Sequence, residues 1–154
     1  MVDELRRIRA IADYQFGSGS GAALFSDEVE VERSKNTGKL RFVRLHGELQ
    51  AALRASDNLF TLTIEGAEKL VAGMPDLGYT VTIMDDVSEF PSKGKNVFAK
   101  HVVAAGEDIR PGDEVVILDS KKKVLAVGRA LLNAEEMLAF STGVAVRTRR
   151  GRNG

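Results

Sequence analysis

The sequence predicts an α+β protein in two domains: a small α+β domain over residues 1–77 and a mixed β barrel with short helices over residues 78–154. Three observations carry this expectation. Short β-branched or alternating apolar runs recur along the chain between turn sequences, the pattern of small sheets rather than of a layered parallel sheet. Apolar residues at helical spacing occupy only brief segments. Between the halves, Pro75-Asp76-Leu77-Gly78 joins one of only three prolines to a glycine, and the pattern changes after it.

Each element follows from local chemistry. Between Asp3 and Tyr14, Leu5, Ile8, Ile11 and Ala12 recur at intervals of three and four, with Arg6, Arg7 and Arg9 on other faces, which predicts an amphipathic helix. Gly17-Ser18-Gly19-Ser20-Gly21 is expected to be a flexible turn, because its glycines favour positive φ and interrupt helix and strand alike. Residues 27–33 and 40–45 flank the turn Lys35-Asn36-Thr37-Gly38 and predict a hairpin. His46-Gly47-Glu48 is a further turn before Leu49 to Ala55. Phe60 to Ile64 reads as a strand, and Ala67, Leu70, Val71 and Met74 share one face of a helix from Glu65 to Met74.

In the second half, Tyr79 to Met84 is β-branched and strand-like, and Asp85-Asp86 is a turn. Val97, Phe98 and Val102 are expected on one buried face of a helical turn running into a strand. Arg110-Pro111-Gly112-Asp113 supplies the fixed and the positive φ of a tight turn, and it feeds a strand from Glu114 to Leu118. After a polar connection at 119–123, Val124 to Leu132 returns as a strand, with Gly128 marking a bulge or a close backbone approach. Asn133, with Glu136 three positions on, caps a brief helix through Phe140. Val144 to Val146 is the last strand.

Composition excludes several functions. A chain of 154 residues without cysteine has no disulfide framework, no thiolate zinc site and no cysteine nucleophile, and the expected compartment is the cytoplasm. No apolar run approaches the roughly 20 residues that cross a bilayer, and Met1 to Arg7 does not resemble a leader, so no membrane partner is expected. The net charge is zero, but its texture is uneven. Residues 1–77 carry ten basic and twelve acidic side chains, residues 78–154 twelve and ten, and four arginines fall within the last eight positions.

No catalytic constellation emerges. His46 and His101 are the only histidines and lack metal-ligand spacing, so neither a metal nor a cofactor is expected. The glycine-serine run fits neither a nucleophile elbow nor a phosphate loop. Paired acids at 85–86, 107–108, 113–114 and 135–136 are sequence neighbours rather than facing dyads, and the reading is of a protein that is not an enzyme. Lys121-Lys122-Lys123 reads equally well as a phosphate-touching hairpin tip and as a solvated turn. The segment Lys93-Gly94-Lys95-Asn96 stands out: the glycine permits close backbone approach to a phosphate, two ammonium groups neutralise it, and Asn96 offers an amide. In a small barrel this loop is expected to meet the arginines of the final strand.

Lys93 to Lys100, Asp108 to Val115, Val124 to Ala130 and Gly143 to Val146 together resemble a PUA domain, an RNA-binding module. Ile11 to Gly17, Lys35 to Lys39 and Leu59 to Thr63 are similar to the segment that precedes it in archaeal tRNA-guanine transglycosylase, the archaeosine enzyme. The resemblance implies a PUA-type pseudobarrel after a pre-PUA domain, with RNA as partner, in that family the tRNA acceptor stem and 3′ end. It implies that Lys93, Gly94, Lys95, Asn96, Lys100, Arg129, Arg147, Arg149 and Arg150 line the RNA. The family's catalytic aspartates and zinc site lie in a barrel this chain lacks, so the expected role is support of tRNA modification, with a separately encoded catalytic subunit as a further partner. The alternative is a protein-interaction module docked on a ribosomal or tRNA-modifying enzyme. Nine aromatics in all argue against a stacking platform for single strands.

Overall fold

The computed structural model describes residues 2–154; Met1, part of the amino-terminal segment read above, lies outside them. The chain divides into two compact units, one ending at Asp76 and one spanning Leu77–Gly154.

In the first unit, α1 (Val2–Phe16) buries Ile8 and Ala12 of the face that the three-and-four spacing sets out, together with Phe16, while Leu5 and Ile11 are half-buried. A meander of β1 (Glu30–Arg33), β2 (Leu40–Leu45), β3 (Glu48–Leu53) and β4 (Phe60–Leu62) forms an antiparallel sheet in sequence order. Gln15 fastens α1 to this sheet: its side-chain amide donates to the Phe60 carbonyl at 2.9 Å and accepts from the Phe60 amide at 2.7 Å. Thr63 caps α3 (Ile64–Gly73) by accepting from the Gly66 amide.

The glycine-serine run departs from its expected turn. Gly17 and Gly19 do take positive φ, but Ser20–Leu24 is a helix, α2. Its cause is tertiary. A Cβ on Gly21 would lie 2.3 Å from the Arg9 carbonyl, so only glycine lets α2 lie against α1. The Asp13 carboxylate accepts from the Gly21 amide at 2.7 Å.

The second unit holds β5 (Thr80–Ile83), α4 (Glu89–Ser92), β6 (Val97–Phe98), β7 (Val102–Ala105), β8 (Glu114–Leu118), β9 (Val124–Ala130), α5 (Ala134–Ala139) and β10 (Val144–Gly151). The sheet order is β6-β10-β9-β8-β5-β7. Its two outermost strands, β6 and β7, are consecutive in the chain and joined only by a 3-10 turn at Ala99–His101, so the sheet curls into a nearly closed barrel. Val81, Ile83, Ile117, Met137 and Val146 are among the side chains that fill it. All neighbouring strands are antiparallel except β5 and β8. The capping box at Asn133 and Glu136 forms as the spacing predicts, and β10 continues five residues past Val146.

Candidate nucleic-acid interface

The loop after α4 and the far end of β10 are built into one surface by backbone contacts. Gly94 turns the chain at φ +98°, its amide bonded to the Pro91 carbonyl at 2.9 Å. The Asn96 side chain then accepts from the Thr148 amide of β10 at 3.1 Å, and β6 pairs Val97 with Val146. Further along, Asn153 donates to the Ser92 carbonyl at 2.7 Å. A Cβ on Gly151 would stand 2.3 Å from that carbonyl and 2.6 Å from the Gly94 amide nitrogen. Gly151 is thus the glycine against which the chain itself packs, whereas around Gly94 a Cβ meets nothing within 4 Å.

This construction brings Lys93, Gly94, Lys95 and Asn96 beside Arg147 and Arg150, all of them exposed. Lys93 has one weak tie, to Glu89 at 3.8 Å, with both side chains in solvent. Arg129 joins through the register, standing directly opposite Arg147 across β9 and β10. Its guanidinium lies over Gly112, where a Cβ would be 3.6 Å from a terminal nitrogen. Lys100 stands apart, in the turn beside Gly143 where β10 begins, while Lys93 neighbours the strand's other end.

Arg149 differs from its neighbours. Thr148 pairs with Gly128 and Arg150 with Val127, so Arg149 is the extra residue of a bulge. Its guanidinium grips Glu114, a carboxylate with no solvent exposure, at 2.7 and 2.5 Å. The fork matches the carboxylate atom for atom.

Next to the loop is a cleft of about 430 Å³ that the sequence did not announce. Phe90, Pro91, Val97, Phe98 and His101 line it, together with Lys95 and Asn96 of the loop. Phe98 and His101 meet edge to face, with centroids 6.0 Å apart. The expected burial of Phe98 with Val97 and Val102 is corrected here. Val97 and Val102 are buried, but successive strand residues face opposite ways, and Phe98 is 46% exposed, as is Phe90 at 48%. Two aromatics out of nine suffice to line one slot. The remaining basic candidate, Lys121 to Lys123, is a turn organised around Asp119, whose carboxylate accepts from the Lys121 and Lys123 amides at 2.9 Å each. Among the described residues no group of three or more His, Asp or Glu side chains is placed to hold a metal ion.

Residues 6–76 match the patch-forming domain C2 of tRNA-guanine transglycosylase, and residues 79–152 match the PUA domain. The chain is a PUA-domain protein. It resembles the C-terminal part of archaeal tRNA-guanine transglycosylase: it is 46% identical over 150 residues to the tRNA-guanine(15) transglycosylase of Methanothermobacter thermautotrophicus, covering 97% of this chain and 23% of that protein. With the Pyrococcus furiosus enzyme of the same name the identity is 46% over 144 residues, covering 94% and 24%. The chain thus spans about a quarter of the length of these relatives. A hypothetical protein from Pyrococcus horikoshii superposes with a TM-score of 0.79 at 20% identity, covering 100% of this chain and 93% of that one. A conserved PUA-domain protein from Thermoplasma acidophilum follows at 0.69 and 18%, covering 99% and 91%. Both share the fold.

Proposed function

We propose that this chain is a cytoplasmic RNA-binding protein that recognises structured RNA, the tRNA acceptor stem and its 3′ end, in support of tRNA modification, and that it carries no catalysis of its own. The chemistry of modification belongs to a tRNA-modifying catalytic subunit that it serves. The observation that carries this reading is the cationic strip of Lys93, Lys95, Arg147 and Arg150, which adjoins a slot walled by Phe90 and Phe98. Duplex RNA is recognised through phosphates and 2′-hydroxyls, for which the strip provides donors. An unpaired terminal base offers an apolar face of the size such a slot accepts, and stacking there contributes about 1–3 kcal/mol per base. Arg129 extends the strip. Arg149 acts through Glu114 as a positioning residue that holds the bulged strand in place.

The test is an anisotropy titration with tRNA, intact and lacking its 3′-terminal nucleotides, at two salt concentrations. Binding that weakens with salt and with loss of the 3′ end supports the reading. Salt-sensitive binding indifferent to the 3′ end removes the slot from it, and no binding at low salt leaves protein docking as the function.

A further inference from the structure

Two concave surfaces of the first unit differ in character. The larger groove along α1, about 660 Å³, is lined by Arg6 and Arg9 but equally by Asp13 and Asp27, and Arg9 pairs with Asp27 at 3.0 Å. A smaller cleft, about 320 Å³, lies between α1 and the turns joining β1 to β2 and β3 to β4. Ile11, Leu40 and Leu53 give it an apolar lining, Arg7, Arg33, Lys39 and Asn58 its polar groups, and among the described residues no carboxylate lines it.

Carboxylates of this unit are engaged by other cations. Glu4 holds Arg33 at 2.9 Å, Glu32 holds Arg44 at 3.3 Å, and Asp57 holds Arg54 at 2.9 Å. Arg33 is fixed further by donating to the Gly38 carbonyl at 2.7 Å. Arg7 and Lys39, both exposed, have no ion-pair partner among the described residues, although the unit as a whole is acidic. Two unneutralised cations at a concavity with an apolar lining match a phosphodiester and its ribose: the anion between Arg7 and Lys39, the sugar against Ile11 and Leu40. Resting on the reading of the second unit as an RNA binder, we infer that this cleft takes a backbone phosphate of the same RNA, so that the first unit contributes affinity of its own.

The full-length chain is titrated with unfractionated tRNA at several KCl concentrations, as wild type, as Arg7→Ala/Lys39→Ala, as Lys93→Ala/Lys95→Ala, and as the charge-matched control Arg6→Ala/Lys69→Ala. All substituted side chains reach solvent, so an unchanged Tm is expected in each. The cleft variant is expected to bind several-fold more weakly and to lower the steepness of log K against log[KCl] by about one, the value for one lost phosphate contact, while the control stays with the wild type. A wild type that binds tRNA, with cleft variant and control indistinguishable, overturns the inference. A weakened cleft variant beside an unaffected Lys93→Ala/Lys95→Ala upholds the cleft and sinks the reading of the second unit's loop. Amide shifts around Arg7 and Lys39 on adding inorganic phosphate alone, without any effect of the cleft variant on tRNA, assign the cleft to a free anion and overturn its RNA role.

Discussion

At the scale of single residues, the side chain of Glu114 is fully buried and both its oxygens accept from Arg149. Removing the guanidinium strands a carboxylate away from water. Arg149→Ala is therefore expected to cost about 3 kcal/mol, the lower end for a broken buried pair because Arg149 itself reaches solvent. Arg147 presents the opposite case. It faces Arg129 across the strands, and like charges directly opposite one another disfavour the pairing. Arg147→Ala is expected to leave Tm unchanged or slightly raised while making RNA binding weaker and less salt-dependent. Thermal melts of the two variants beside tRNA titrations check the contrast: a large loss of Tm in Arg147→Ala, or none in Arg149→Ala, refutes it. The sequence singled out Arg147 and Arg149 alike, because a bulge that turns one of them toward a distant glutamate leaves no local mark. Gly94 and Gly151 carry the same lesson. The sequence marks the glycine between two lysines as the point where a phosphate can come close, and gives no sign of the crowding at Gly151, where a Cβ collides with backbone from Ser92 and Gly94. Gly151→Ala should unfold or displace the strand end, and Gly94→Ala should cost only the strain of a side chain at positive φ, about 1–2 kcal/mol.

Elements written by local signals were legible: the face of α1, the capping box of α5, and the apolar runs of β8 and β9 all carry their pattern in neighbouring residues. Those that depend on partners far along the chain were not. The helix α2 exists because Gly21 lies against Arg9, α4 is four residues long with Pro91 inside it, and the far half of β10 pairs with β9 through a bulge. Tethers between elements are equally silent in sequence. Asp85, in the 3-10 turn after β5, accepts from the Ser120 amide at 2.9 Å and the Ser120 hydroxyl at 2.5 Å, joining that turn to the hairpin between β8 and β9. These bonds, the hydroxyl's foremost, hold the Asp85 carboxyl below its usual range, and Lys121 adds to the effect. A carboxyl with a depressed folded-state pKa stabilises the fold above its unfolded value of about 4 and loses that contribution as the pH falls through the folded value. Ser120→Ala removes the foremost of these bonds. Tm followed from pH 6 to pH 2 is expected to fall less below about pH 4 in the variant than in the wild type, and superimposable acid limbs would show the tether to be without weight.

For the whole molecule, a net charge of zero would predict indifference to polyanions, yet charge acts over a Debye length of about 10 Å at 0.1 M salt and not over a chain average. What decides is how many cations are left without carboxylates on one surface. In the second unit, Glu114 pairs with Arg149, while Lys95, Arg147 and Arg150 remain in solvent and Lys93 is only loosely tied. These residues can be named from the sequence, but the pairing of Arg149 among them with Glu114 cannot, since this depends on the register of β10 on β9. Leaving aside Arg129, which extends the strip, its four other cations set a definite salt dependence. Each phosphate neutralised contributes about 0.7–0.9 to the steepness of log K against log[salt], so four give about three, and the one in the first unit's cleft brings the full chain to about four. Raising KCl fourfold should then lower tRNA affinity by somewhere between a hundredfold and a thousandfold. A measured steepness below about one would mean that the cations are bystanders and that apolar docking, which barely responds to salt, is what the surface is for. A steepness near three that is unchanged by Arg7→Ala/Lys39→Ala would restrict RNA contact to the second unit.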